Sequence, residues 1–112
     1  MAGLDPATHQ LKISVMRKGY VYLLASKPYG TLYIGVTDNL PERIFAHREG
    51  RASKFTKKYK VTRLVWWEEH ELVVVAIQRE TSMKRWKRDW KIDLVNKTNP
   101  KWLDLYENGG MP

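Results

Sequence analysis

Two early runs of the chain are rich in aromatic and branched side chains: Tyr20-Val21-Tyr22-Leu23-Leu24-Ala25 and Leu32-Tyr33-Ile34-Gly35-Val36. Such runs favour extended backbone, and the intervening Ser26-Lys27-Pro28-Tyr29-Gly30 has turn residues, so together they predict an antiparallel hairpin. Asn39 is followed three residues later by Glu42, with Pro41 between them, which is a helix-start pattern, and Gly50 is a suitable stop. Residues 51 to 60 are polar and basic without an apolar period and are expected to form an exposed loop. Val61-Thr62-Arg63-Leu64-Val65-Trp66-Trp67 has the composition of a third strand. From about Leu72 to Trp86 the apolar positions Val73, Ala76, Ile77 and Met83 fall on one helical face, and a basic helix with Trp90, Ile92 and Leu94 follows. Asn99-Pro100-Lys101-Trp102-Leu103 reads as a terminal turn packed by its Trp.

The order strand, strand, helix, strand, helix, helix predicts an α+β fold, a three-stranded antiparallel sheet flanked by helices. Residues 1–16 have no clear period and are expected to be a poorly ordered extension, leaving 17–106 as the domain and 107–112 as a tail. With 112 residues and 43% hydrophobic content, there is material for one core but not two.

Composition narrows the chemistry. No run approaches the ~20 apolar residues of a membrane-spanning helix, and the opening residues lack a charged start followed by an apolar block, so no membrane partner and a cytoplasmic location are expected. Cysteine is absent, which excludes disulfides, a thiolate zinc site and a cysteine nucleophile. A formal net charge of +8 favours a polyanionic partner, nucleic acid first among them.

Pairing Ser26 with Thr31 sets Tyr22 opposite Gly35 and Leu24 opposite Tyr33, so Tyr22, Tyr33 and Gly35 share one face. Two phenols then flank a patch of bare backbone that a phosphate can approach closely. Arg43 and His47 stand four residues apart on the first helix and project from the same side. Arg brings a permanent charge and several donors to phosphate oxygens, and His can move a proton near neutral pH. Glu80 falls within the apolar face of its helix, where a carboxylate needs either an Arg or Lys partner or a hard cation such as Mg²⁺. The basic residues Arg51, Lys54, Lys57 and Lys58, with Lys84, Lys87 and Lys91, make the expected nucleic-acid-binding surface. The tryptophans interleaved among them are read as core anchors.

Taken in order, Tyr20-Val21-Tyr22, Tyr33-Ile34-Gly35, Arg43, His47 and Glu80 on a later helix resemble the GIY-YIG nuclease superfamily. The likeness covers roughly Lys18 to Tyr106 and is greatest to its small single-domain bacterial members, which are similar to the N-terminal nuclease domain of the excision-repair nuclease C subunit. It implies a Mg²⁺-dependent (or Mn²⁺-dependent) DNA endonuclease with one ion held by Glu80 and a role in DNA repair or recombination. Tyr22 and Tyr33 take the places of the motif tyrosines, Arg43 that of the family arginine and His47 a position that is His or Tyr in many members. The resemblance also implies that Tyr22, helped by His47, takes the proton of the attacking water. Tyr20 stands where the motif name has Gly. Members often carry an Asn about a dozen residues after the Glu, whereas this chain reads Trp90-Lys91-Ile92-Asp93, with Asn96 and Asn99 further on. The Asn is therefore either displaced or its role is unfilled. Two other classes stay open: a nucleic-acid-binding module that does not cut, and an interaction domain that works with a larger DNA-repair partner.

Overall fold

The computed structural model describes residues 16–112, so the expected N-terminal extension lies outside the described residues except for Met16. The chain forms strands β1 (Gly19–Ala25) and β2 (Leu32–Thr37), helices α1 (Leu40–Arg48) and α2 (Lys54–Tyr59), strand β3 (Arg63–His70), and helices α3 (Val73–Met83) and α4 (Arg88–Thr98). The three strands make one antiparallel sheet in the order β2-β1-β3.

β1 is the central strand and is buried on both faces, which explains its nearly continuous apolar run. One side of the strand, Val21, Leu23 and Ala25, meets Ala76 and Met83 of α3, Val95 of α4 and the wholly buried Trp102. The other side, Tyr22 and Leu24, packs with Leu40 and Ile44 of α1 and with Val61 and Leu64. A bulge against β3 between Leu23 and Leu24 leaves Val65 on the same side as Trp66.

The expected register is the observed one: Tyr22 pairs with Gly35 and Leu24 with Tyr33. The turn fixes it, because Ser26 N–H donates to the Thr31 carbonyl at 3.0 Å and Thr31 N–H donates to Ser26 Oγ at 3.0 Å. The first helix also starts as its sequence predicts. Asn39 Oδ1 accepts from Glu42 N–H at 3.3 Å, and Pro41 sits in the first turn, where its missing N–H costs nothing.

Three expectations are corrected. Residues 51–60 are not simply an exposed loop: Ser53 caps α2 by accepting from Thr56 N–H at 3.3 Å, and Thr56 is completely buried. Six residues, three of them lysine, are too short to show a helical period. Ile77 does not share the buried face of α3; it is 46% exposed, and the face consists of Ala76, Glu80 and Met83. Of the two tryptophans interleaved with the basic residues, Trp86 is partly buried against the core, but Trp90 is 52% exposed.

Among the described residues no helix is long and apolar enough to cross a membrane. The last residues fold back onto α1: Arg48 is paired with Asp104 and with Glu107 and lies 4.5 Å above the Tyr106 ring.

Candidate active site

The site forms where the β1–β2 hairpin meets α1 and α2. Tyr22 is 2% exposed, and its ring lies across Gly35, where an added Cβ would overlap the phenol carbon and hydroxyl. Glycine is required at position 35 because another side chain fills the space, not because the backbone is unusual.

His47 is on the inward side of α1 and is only 1% exposed. Its Nε2 lies 2.8 Å from the Tyr22 hydroxyl and its Nδ1 lies 3.0 Å from Thr56 Oγ1. The imidazole stands edge-on to both phenols, with ring centroids 5.6 Å from Tyr22 and 5.4 Å from Tyr33. Both tyrosines, His47 and Gly35 are thus gathered at one point; the register predicted the shared face of Tyr22, Tyr33 and Gly35, and the structure adds the inward-facing His47.

Electrostatics give these groups defined states. Burial raises the Tyr22 phenol above its ordinary range, the neighbouring Tyr33 and Glu80 act in the same direction, and Arg43 opposes them. Burial and the Arg43 charge hold His47 down at about 4, so the ring is neutral at physiological pH. Arg43 is itself exposed, one turn before His47, and its charge is felt at both groups. It lines a cleft of about 210 Å³ with Thr37, Asp38, Asn39 and Arg51.

Glu80 reaches this neighbourhood from α3, which packs against β1 and β2. It is 9% exposed, and Oε1 lies 3.0 Å from Nζ of Lys84, one turn on. Sequence left open whether Glu80 answers to a basic partner or a cation. The partner is now identified, but it is 58% exposed and covers the acid from the solvent side. Among the described residues the other carboxylate oxygen has no such contact.

The basic residues divide by location. Lys84 and Lys91 line a groove of about 300 Å³ with Tyr33 and Phe55, and Arg51 lines the Arg43 cleft. Lys54, Lys57 and Lys58 are exposed along α2. Lys87 instead lies 5.9 Å from the Trp90 ring and lines neither depression.

Two residues of the site escaped the sequence reading. Thr56 holds the second nitrogen of His47, and Phe55 stacks on Tyr33 with centroids 6.2 Å apart. Their only signal was the Ser53-x-x-Thr56 cap spacing, hidden among lysines. The two downstream asparagines are both engaged structurally. Asn99 binds Val65 and Leu103 backbone groups, and Asn96 accepts from the Trp102 indole at 2.8 Å.

Residues 18–93 match the family model described as the GIY-YIG catalytic domain. The chain belongs to the GIY-YIG family. GIY-YIG domains are nuclease domains, so membership implies nuclease chemistry with DNA as its substrate. Among similar proteins, a UPF0213 protein of Staphylococcus saprophyticus is 32% identical over 81 residues, covering 72% of this chain and 98% of the relative. A UPF0213 protein of Clostridium perfringens is 37% identical over 82 residues, covering 73% and 87%. Another, from Syntrophus aciditrophicus, is 34% identical over 87 residues, covering 77% and 98%. The matched stretch accounts for most of each relative. No solved structure matches the chain.

Proposed function

We propose that this protein is a metal-dependent DNA endonuclease that hydrolyses phosphodiester bonds at a single site built from Tyr22, Tyr33, Arg43, His47 and Glu80. The observation that carries the reading is the 2.8 Å contact between a buried, protonated Tyr22 and a neutral His47.

A phenol whose affinity for its proton has been raised cannot act as a base by standing ionised. It can accept a proton only while passing its own onward, and the neutral imidazole is the acceptor beside it. Water attacks phosphorus in line, its proton moves to the Tyr22 oxygen, and the Tyr22 proton moves to His47. The bond from phosphorus to the leaving oxygen breaks. A base this buried suits a water molecule rather than a bulky group. Arg43 faces the charge that builds on the phosphate, which its permanent positive charge offsets. Tyr33, beside the same imidazole and open to the Lys84 groove, binds a phosphate oxygen and positions the substrate.

The donor set fits one Mg²⁺ or Mn²⁺. Among the described residues there is no cluster of three or more His, Asp or Glu that forms a metal cage. Mg²⁺ commonly binds through one or two carboxylates and completes its shell with water and substrate phosphates. Glu80, with one oxygen free of Lys84, is such a carboxylate. When bound, the cation supplies Lewis-acid stabilisation of charge on the phosphate and leaving oxygens.

The direct test is nicking of supercoiled plasmid with Mg²⁺, comparing wild type with Tyr22→Phe and Glu80→Gln. Wild type should nick and both variants should lose most of the rate. Nicking at equal rates by all three would point to a contaminant and remove the assignment. DNA binding without any nicking would leave a binding module.

A further inference from the structure

Behind the Tyr22–His47 pair lies a contact on which the chemistry proposed above rests in turn. Thr56 is fully buried, and its Oγ1 is 3.0 Å from His47 Nδ1. The same hydroxyl donates to the Ser53 carbonyl at 3.2 Å. A hydroxyl has one proton to give, so with that proton directed at Ser53 it meets the imidazole as an acceptor. Nδ1 must then carry the single proton of the neutral ring. Nε2 is left with its lone pair facing Tyr22, and the phenol must be the donor in their 2.8 Å contact.

We propose that Thr56 is a positioning residue that fixes His47 in the Nδ1–H tautomer, so that Tyr22 donates to Nε2 and keeps its oxygen lone pairs for the proton of the attacking water. In the opposite tautomer Nε2–H would donate to Tyr22, and the relay would have no acceptor beyond the phenol.

The hydroxyl is held by the backbone that carries it. Ser53 Oγ accepts from Thr56 N–H at 3.3 Å while Ser53 O receives the hydroxyl, so the helix cap and the tautomer lock are one structure. The Ser53 carbonyl also accepts from Lys57 N–H at 3.2 Å. Removing the hydroxyl therefore leaves His47 Nδ1 without its partner, while the Ser53 carbonyl keeps the Lys57 N–H. At 1% exposure, His47 has little access to solvent that could replace it. This inference depends on the nuclease reading for its purpose, but not for its test.

The test is the ¹⁵N spectrum of the ring nitrogens at pH 7 in wild type, Thr56→Val and Thr56→Ser, with the His47 signals identified by their loss in His47→Gln. Wild type and Thr56→Ser should show a protonated Nδ1 and an unprotonated Nε2, and Thr56→Val should lose that pattern. In plasmid nicking, Thr56→Val should fall by about 10-fold or more in kcat with KM unchanged, and Thr56→Ser should recover most of it. A wild-type ring protonated at Nε2 would overturn the proposal even if the Val variant failed to fold. An unchanged tautomer in a folded Thr56→Val would overturn it equally. The expected spectra without nicking by any form would support the tautomer assignment and overturn the nuclease reading instead.

Discussion

Glu80 and Lys84 form an ion pair of 3.0 Å across one turn of α3, with the acid buried and the ammonium in solvent. The asymmetry decides what the pair is worth. A charge pair with one exposed member, within a single helix, contributes about 0.3–0.5 kcal/mol, far from the ~3 kcal/mol lost when a buried pair is broken.

Glu80→Gln should therefore melt within about 1 kcal/mol of wild type in the absence of metal, because no buried Lys or Arg is stranded. If Glu80 binds the cation, the same variant should lose Mg²⁺-dependent nicking by about two orders of magnitude or more. Lys84→Ala should let Mg²⁺ bind the free protein more tightly by removing a competitor for the carboxylate. A paired measurement, a metal-free melt and a Mg²⁺ titration followed by calorimetry, checks both. Early melting with wild-type nicking would make Glu80 a purely structural acid.

The tyrosines should separate by role. Tyr22→Phe keeps the ring over Gly35 but removes the proton carrier, so the rate should fall about 10²–10⁴-fold while DNA affinity is nearly unchanged. Tyr33→Phe should be milder, since Tyr33 stands at the groove rather than on the proton path. Single-turnover nicking and filter binding measure the two quantities independently, and the reverse order of effects would exchange the roles.

The hairpin half of this site was legible in the sequence because period-two alternation and a short turn determine which residues meet. Tyr22 opposite Gly35 follows from Ser26 opposite Thr31, and His47 beside Arg43 follows from helical spacing. The burial of His47 was not legible, because it depends on α2 closing over α1, and α2 is short and lysine-rich. Glu80 was recognisable as an acid on an apolar face, whereas the direction from which Lys84 approaches it required three dimensions. The same holds for the lysines: Lys84, Lys87 and Lys91 are near neighbours in sequence, yet only the first and last line the Tyr33 groove.

That difference predicts a pattern in salt dependence. Each phosphate neutralised on duplex DNA contributes about −0.9 to the slope of log K against log salt. Lys84→Gln and Lys91→Gln should each weaken binding and reduce the slope by about one phosphate, whereas Lys87→Gln should change neither. Titrations at several salt concentrations test this, and equal effects at all three lysines would show that binding follows overall charge rather than the groove.

The last prediction concerns acid. His47 is held at about 4 in the folded protein, below the ordinary histidine value of 6.5, by burial and by Arg43. The unfolded chain therefore takes up a proton on this ring first as pH falls, and proton uptake by the unfolded state lowers stability. The contribution is fully present above about pH 6.5 and is lost progressively as pH drops toward 4, where the folded form also protonates. A shift of this size corresponds to a loss on the order of 3 kcal/mol. Carboxylates titrate in part of the same range, so the comparison must be between wild type and His47→Gln, which keeps a hydrogen-bonding side chain but does not titrate. Urea unfolding at pH 7 and pH 4.5 should show a markedly larger loss for wild type than for the variant. Nicking should follow the same ring differently: since only neutral His47 accepts the Tyr22 proton, the rate should stay level from pH 7 down to about 5 and fall as pH nears 4. A rate that falls already through pH 6.5 would mean that His47 titrates as a solvated histidine, and the proton relay from Tyr22 would lose its acceptor.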